Sequence, residues 1–286
     1  MVPEETCTER AGVVFPATID PQRYHRNYVR YVANAFAAAG VPVEFAGDST
    51  PGQCMYEVDW GGRRFIVDYN DYTDLPECSL PDLPRFKFSF CAAHRDVPGL
   101  YPFSPISVLD WPQYDRARQE VRYGGGERVF FIQTPHHGDE GPTDNWARRL
   151  LLQRVIPEAF GSRADTAFYP LGEYWRCVDR ALVRVFAPGS RNDMLDRGHA
   201  QYLGLGCCTV SPRLSTVLPW WEPLVPGTHY VPCADDYSDV VDVIRWCDGH
   251  REECVRIGRA AAALFERCST PVRLVAWVRA CLGGDA

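Results

Sequence analysis

Residues 11–46, AGVVFPATIDPQRYHRNYVRYVANAFAAAGVPVEFA, decide the fold class. The run 11–19 is apolar and strand-like. Asp20 then offers a helix cap, Pro21 suits the first helical position, and Gly40 supplies a stop, which predicts a helix between them. VPVEFA follows as a second strand. Strand, helix and strand in this order open a parallel α/β sheet.

Working outward, MYEVDWGGRRFIVDYNDY reads as two strands about a turn at Gly61 and Gly62, and PRFKFSFCAAH alternates as a further strand. The segment VPGLYPFSPISVLDW is a proline-punctuated connection. The Gly124–Gly126 run reads as a hinge, placing a boundary near Tyr123. Beyond it strands (RVFFIQT, TAFYP, RVFAPGS, CCTVS, HYVPC) alternate with helices (TDNWARRLLLQRVIPEAF, LGEYWRCVDRALV, NDMLDRGHAQYLGLG, DYSDVVDVIRWCDGH), and two more helices close the chain. The expectation is α/β with two Rossmann-like domains. The small one spans 1–123, and the second spans 124–286 with closing C-terminal helices.

Composition narrows the function. The net charge of −7 over 286 residues argues against non-specific nucleic-acid binding. No apolar run reaches the roughly 18 residues a membrane span requires. MVPEETCTER lacks the apolar core of a signal peptide, so a cytoplasmic protein is expected. Twelve cysteines without CxxC spacing read as reduced, with Cys207 and Cys208 as buried small hydrophobes and no structural zinc. Lys87 is the single lysine among 30 basic residues, so a phosphate site must use arginine forks and helix N-termini.

In an open parallel sheet, ligands bind beyond the carboxyl ends of the strands. That rule selects Thr134, His136, His137, Asp139 and Glu140 after RVFFIQT, with Thr143 or Asp144 capping the next helix and Arg148 and Arg149 in its first turns. The HHGDE atoms suit a metal, but their spacing matches no known ligand geometry; substrate contact and a solvated loop are the other readings. A second group is Ser190, Arg191, Asn192 and Arg197, at the next strand-to-helix passage. A third is the stretch 211–238, SPRLSTVLPWWEPLVPGTHYVPCADDYS, carrying Pro212, Glu222, Tyr230 and Ser238. There Trp220, Trp221 or Tyr230 covers a base, with the tryptophans as core anchors the other reading.

The order S-R-N-x-x-x-D-R, Q-Y-L-G-L-G-C-C, S-P-x-L, W-W-E-P-L-V-P-G-x-H-Y-V-P and D-x-S-D-V resembles the C-terminal domain of GT-B-type glycosyltransferases. It is most similar to the group with protein O-glucosyltransferases and capsule-associated xylosyltransferases. The resemblance spans about 129–268. It implies a nucleotide-sugar donor as substrate, no cofactor, an acceptor held by the first domain, and transfer between the two. It also implies that Arg191 and Arg197 contact the diphosphate with Arg148 nearby, and that Glu222, Tyr230 and Ser238 contact the nucleoside or shape its pocket. The first half is shorter than that family's.

Sugar transfer to a hydroxyl requires a base at the cleft. Asp68, Asp71, His94 and Asp96 follow strands of the first half; Asp71 is preferred, with His94 second, and Asp68 reads as a paired carboxylate. Lys87 reads as an edge-strand or cleft-facing cation. No DxD triplet occurs, consistent with metal-independent transfer. The competing expectations are a non-catalytic nucleotide- or sugar-binding module and a metal-dependent hydrolase built on HHGDE.

Overall fold

The computed structural model describes residues 12–19, 26–105, 107–120, 126–130, 144–167, 169, 171–177, 181–187 and 193–283. Within them lie two large sheets and one two-stranded ribbon. The first has the order β2-β1-β3-β4-β5-β6, from β1 (Val13–Phe15), β2 (Val43–Phe45), β3 (Met55–Trp60), β4 (Arg63–Asp68), β5 (Arg85–Lys87) and β6 (Leu100–Pro102). β1 and β2 run parallel with α1 (Arg26–Ala38) between them in the chain, as residues 11–46 predict. Tyr28, Val29, Val32, Ala33 and Phe36 form the buried stripe of α1, the spacing a helix lying on a sheet requires.

This sheet departs from a purely parallel one because of the hairpin. Gly61 and Gly62 have φ of 59° and 82°, both left-handed, so they close a two-residue turn that pairs Trp60 with Arg63. β3 therefore runs antiparallel to β1 and to β4, while β4, β5 and β6 are parallel.

The second sheet is entirely parallel, in the order β13-β10-β9-β7-β8. Its strands are β7 (Arg128–Phe130), β8 (Ala164–Asp165), β9 (Ala181–Val185), β10 (Thr209–Ser211) and β13 (Val231–Pro232). Counted within this sheet the order is 2-1-3-4-5, a doubly wound arrangement whose direction reverses between β7 and β9. α3 (Asp144–Phe160) and α6 (Val240–Gly249) pack with one apolar cluster. α4 (Leu171–Arg176) and α5 (Arg197–Gly204) join the other. The chain thus crosses to opposite faces on either side of the β7/β9 gap. An α/β architecture with parallel strands is borne out. TAFYP is not the strand, which is β8 just before it, and the strand expected at RVFAPGS begins earlier, at Ala181.

The two halves share one core. A single cluster runs from Val13 and Phe36 through Tyr114, Leu203 and Phe265 to Trp277. α7 (Arg251–Cys268) reaches α5 because Gly258 lets the two backbones touch: a Cβ there would collide with the Gly206 carbonyl. α8 (Pro271–Cys281) returns to the first half, where Trp277 Nε1 donates to the Pro102 carbonyl at 2.8 Å.

The tryptophans of 211–238 belong to this seam. β11 (Val217–Leu218) and β12 (Glu222–Pro223) form a small ribbon, and between them Trp220 and Trp221 take φ of 62° and 59°. Bulky residues pay about 1–3 kcal/mol for such backbone. Packing holds them: both rings lie against Trp277, Trp221 also meets Phe90, and Trp220 Nε1 donates to the Arg273 carbonyl at 3.2 Å. Beside them Val217 N–H donates to the Phe90 carbonyl at 2.9 Å, so the stretch is stitched to the chain leaving β5. Both tryptophans therefore act as anchors of this seam.

Lys87 also differs from expectation. β5 lies between β4 and β6, and the lysine is fully buried, with Nζ 3.2 Å from Asp68 Oδ2. Arg85 donates to the same oxygen from Nε at 2.9 Å and from Nη2 at 2.6 Å. Burial lowers the Lys87 pKa, opposed by Asp68. Asp68 is the paired carboxylate it was read to be.

Candidate functional site at the meeting of two sheet edges

The passages β7 to α3, β9 to α5 and β13 to α6 all leave the carboxyl edge of the second sheet, and the first two flank its reversal point. Doubly wound sheets hold their ligands at this point. α5 starts at Arg197, with Asp196 as its cap: Oδ1 accepts from His199 N–H at 2.9 Å. The helix read as starting near Asn192 thus begins later.

Arg197 is half-buried and lays its guanidinium over the Tyr28 ring, 4.5 Å from the centroid. Tyr28 stacks on Tyr69 at 4.5 Å and 22°. Tyr69 leads into a turn in which Asn70 N–H donates to Asp68 Oδ1 at 3.0 Å and Tyr72 N–H to Asn70 Oδ1 at 3.1 Å. That turn carries half-buried Asp71 beyond the end of β4. The buried Asp68 group therefore fixes the backbone that presents Asp71.

The electrostatics tie both edges together. Burial pushes the Asp196 carboxyl above its ordinary range; the His199 N–H, Arg197 and Arg149 oppose this, and Asp71 adds to it from the other sheet. Two carboxylates within electrostatic reach, one raised, are the pattern of an acid–base site. Arg149 Nη2 donates to the Ala187 carbonyl at 3.2 Å, just past β9. Arg148 and Arg149 both act on buried Tyr237, whose hydroxyl donates to the Phe186 carbonyl at 2.8 Å. Arg148, Arg149, Asp196, Arg197 and Tyr237 thus gather around the reversal point with Asp71 opposite.

Other expected residues are engaged elsewhere. Glu222 forms a fork with Arg267, at 2.8 Å to Nε and 3.2 Å to Nη2, and these bonds hold its carboxyl below the usual range. His94 Nδ1 accepts from Cys91 N–H at 3.1 Å, which assigns the ring proton to Nε2, 2.6 Å from the Thr73 carbonyl. Burial lowers its pKa. With both nitrogens on backbone, His94 fastens two loops and is not placed to take a substrate proton. Tyr230 is fully buried, and its hydroxyl accepts from Leu214 N–H at 2.9 Å, so it shapes the loop that follows buried Pro212. Ser238 is exposed just before α6. Thr134, His136, Ser190 and Arg191, and the whole HHGDE loop, lie outside the described residues.

Asp196 and Tyr237 were not singled out from sequence. The signal for Asp196 was present, since Asp is a favoured capping residue, but the helix was read as starting earlier, at Asn192.

His199 adds a pH effect. It is fully buried against Phe186, with ring centroids 4.2 Å apart, and among the described residues neither ring nitrogen has a hydrogen-bond partner. Burial holds its pKa down to about 3. The unfolded chain binds this proton near pH 6.5 and the folded chain does not, so stability is full above that pH and is lost on acidification toward 3. The cost between pH 6.5 and 5 is about 2 kcal/mol. Urea midpoints at the two pH values are expected to show this loss in the parent and to lack the His199 share in a His199→Leu variant.

No protein-family model matches the chain. Over an alignment 71 residues long that covers 22% of the chain, it is 30% identical to a protein described as "Uncharacterized protein 179R" of Invertebrate iridescent virus 6. The matched stretch is 6% of that protein's length, so the chain is similar to a small part of it.

Proposed function

We propose that this protein is a metal-independent glycosyltransferase of GT-B type, moving a sugar from a nucleotide-sugar donor to a hydroxyl acceptor. The carrying observation is the gathering of Arg197, Arg148 and Arg149 at the reversal point of a parallel sheet, with Asp71 of the other sheet within electrostatic reach of it. The sequence order S-R-N-x-x-x-D-R to D-x-S-D-V supports the same reading.

In this mechanism Arg197 and Arg148 hold the donor diphosphate and stabilise its charge as it departs, the role a divalent ion plays elsewhere. Ser190, Arg191, Thr134 and His136 belong to the same donor group by sequence position. The loop shaped by Pro212 and Tyr230, with Ser238, borders the nucleoside. Asp71 takes the acceptor proton. Donor and acceptor thus enter from the two sheet edges, and the transferred sugar lies between them.

Thermal shift with UDP or GDP, with and without manganese, tests the donor site. A ligand at 100 times its dissociation constant stabilises by about 2.7 kcal/mol, and the shift is expected without metal. Arg197→Ala removes a charged hydrogen-bonding group of about 1.5–3 kcal/mol, so the diphosphate Kd is expected to rise roughly 10- to 150-fold. Stabilisation only in the presence of manganese, or an unchanged Kd in Arg197→Ala, would overturn the assignment. A second reading, a binding module without catalysis, draws support from His94, whose engagement leaves Asp71 as the one base of the pair. Slow hydrolysis of the donor sugar separates the two: a transferase shows it, a binding module does not.

A further inference from the structure

Cys208, Cys247 and Cys254 are buried and bring their Sγ atoms within 4.8 Å of one another. They come from three places: the residue before β10, the last turn of α6 and the first turn of α7. Neighbouring Cys207 belongs to the cluster on the other sheet face, so only one of this adjacent pair reaches the group. The cluster lies at the amino end of β10, opposite the edge that carries the donor site.

From this convergence we infer a binding site for a single soft, thiophilic metal ion, held by the three sulfurs and structural in role. A metal–sulfur distance of about 2.3 Å places three sulfurs about 4 Å apart around a central ion, so the side chains need close by less than about 1 Å. Soft thiolate ligands select monovalent copper, zinc or iron–sulfur clusters. Structural zinc is almost always four-coordinate, and among the described residues no fourth His, Cys, Asp or Glu joins the group. Three sulfurs alone suit Cu(I).

The chemistry balances without a redox change. Cu(I) enters, the three thiols lose three protons to solvent, and the resulting site carries two negative charges. Cys254 lies in the first turn of the 18-residue α7, whose amino end favours a thiolate. Entry is by the α6–α7 junction, where Gly249 and His250 are exposed.

The test uses the full chain, kept reduced without thiols and titrated anaerobically with Cu(I), with Zn²⁺ in a parallel arm. After desalting, about one equivalent of copper is expected to remain, with X-ray absorption reporting three sulfur neighbours and a raised Tm. Cys247→Ser and Cys254→Ser are expected to lose the metal, while Cys78→Ser, outside the cluster, retains it. Should the core variants fail to fold, the absorption spectrum of the parent still decides, since nitrogen or oxygen neighbours overturn the assignment. Retention below about a tenth of an equivalent would overturn it as well. So would preference for zinc, binding that survives both core substitutions, or a mass two protons lighter with no metal, which marks a disulfide.

Discussion

Donor hydrolysis by an Asp71→Asn variant is expected to fall about 10²- to 10⁴-fold, the range a positioned general base contributes, with nucleotide affinity nearly unchanged. The substitution keeps the side-chain volume. The turn that carries residue 71 is held by Asn70 and Asp68, so the backbone survives the change. Removing the charge also takes away the small share of the upward push on Asp196 that Asp71 adds to burial. Hydrolysis within threefold of the parent would remove Asp71 from the chemistry while leaving the arginine site intact.

The largest stability effect is expected at Asp68. In Asp68→Ala the buried Lys87 and nearly buried Arg85 lose their shared carboxylate and face each other unpaired. Breaking a buried pair by removing one partner costs about 3–5 kcal/mol. Lys87→Met should behave differently, because Asp68 keeps Arg85 and the buried ammonium is replaced by a side chain of similar length; a change near zero or a gain is expected. Guanidinium unfolding of both variants measures the asymmetry. Equal losses would mean that Lys87 makes bonds the core cannot do without. The same Asp68 also orders the Asn70 turn, so its loss should loosen Asp71 and lower activity below what stability alone explains.

How far the sequence could be read depended on the range of the interaction. The strand-helix-strand at 11–46 and the Gly61–Gly62 hairpin rest on local signals, periodicity and turn chemistry, and both were legible. So were the positions of Asp71 after a strand and of Arg148 in the first turns of a helix, because these need only the order of elements. What was missed depends on distant partners. Glu222 finds Arg267 far along the chain, an ion pair that no local signal announces. Trp220 and Trp221 both meet Trp277, and Trp221 also meets Phe90 more than a hundred positions earlier in the chain. Cys208, Cys247 and Cys254 share no short spacing, and only the folding of β10 against α6 and α7 assembles them. Lys87 alternates with apolar neighbours as an edge residue would, and nothing local shows that β6 covers it.

The burial of that lysine has a practical side. The chain has one ε-amine, and the fold seals it completely against Asp68. Amine-reactive labels, cross-linkers and enzymes that acylate lysine therefore find no side-chain target on the native surface. Acylation at residue 87 instead counts molecules whose first sheet has opened, and its rate under native conditions is a direct gauge of how often the support beneath Asp71 comes apart.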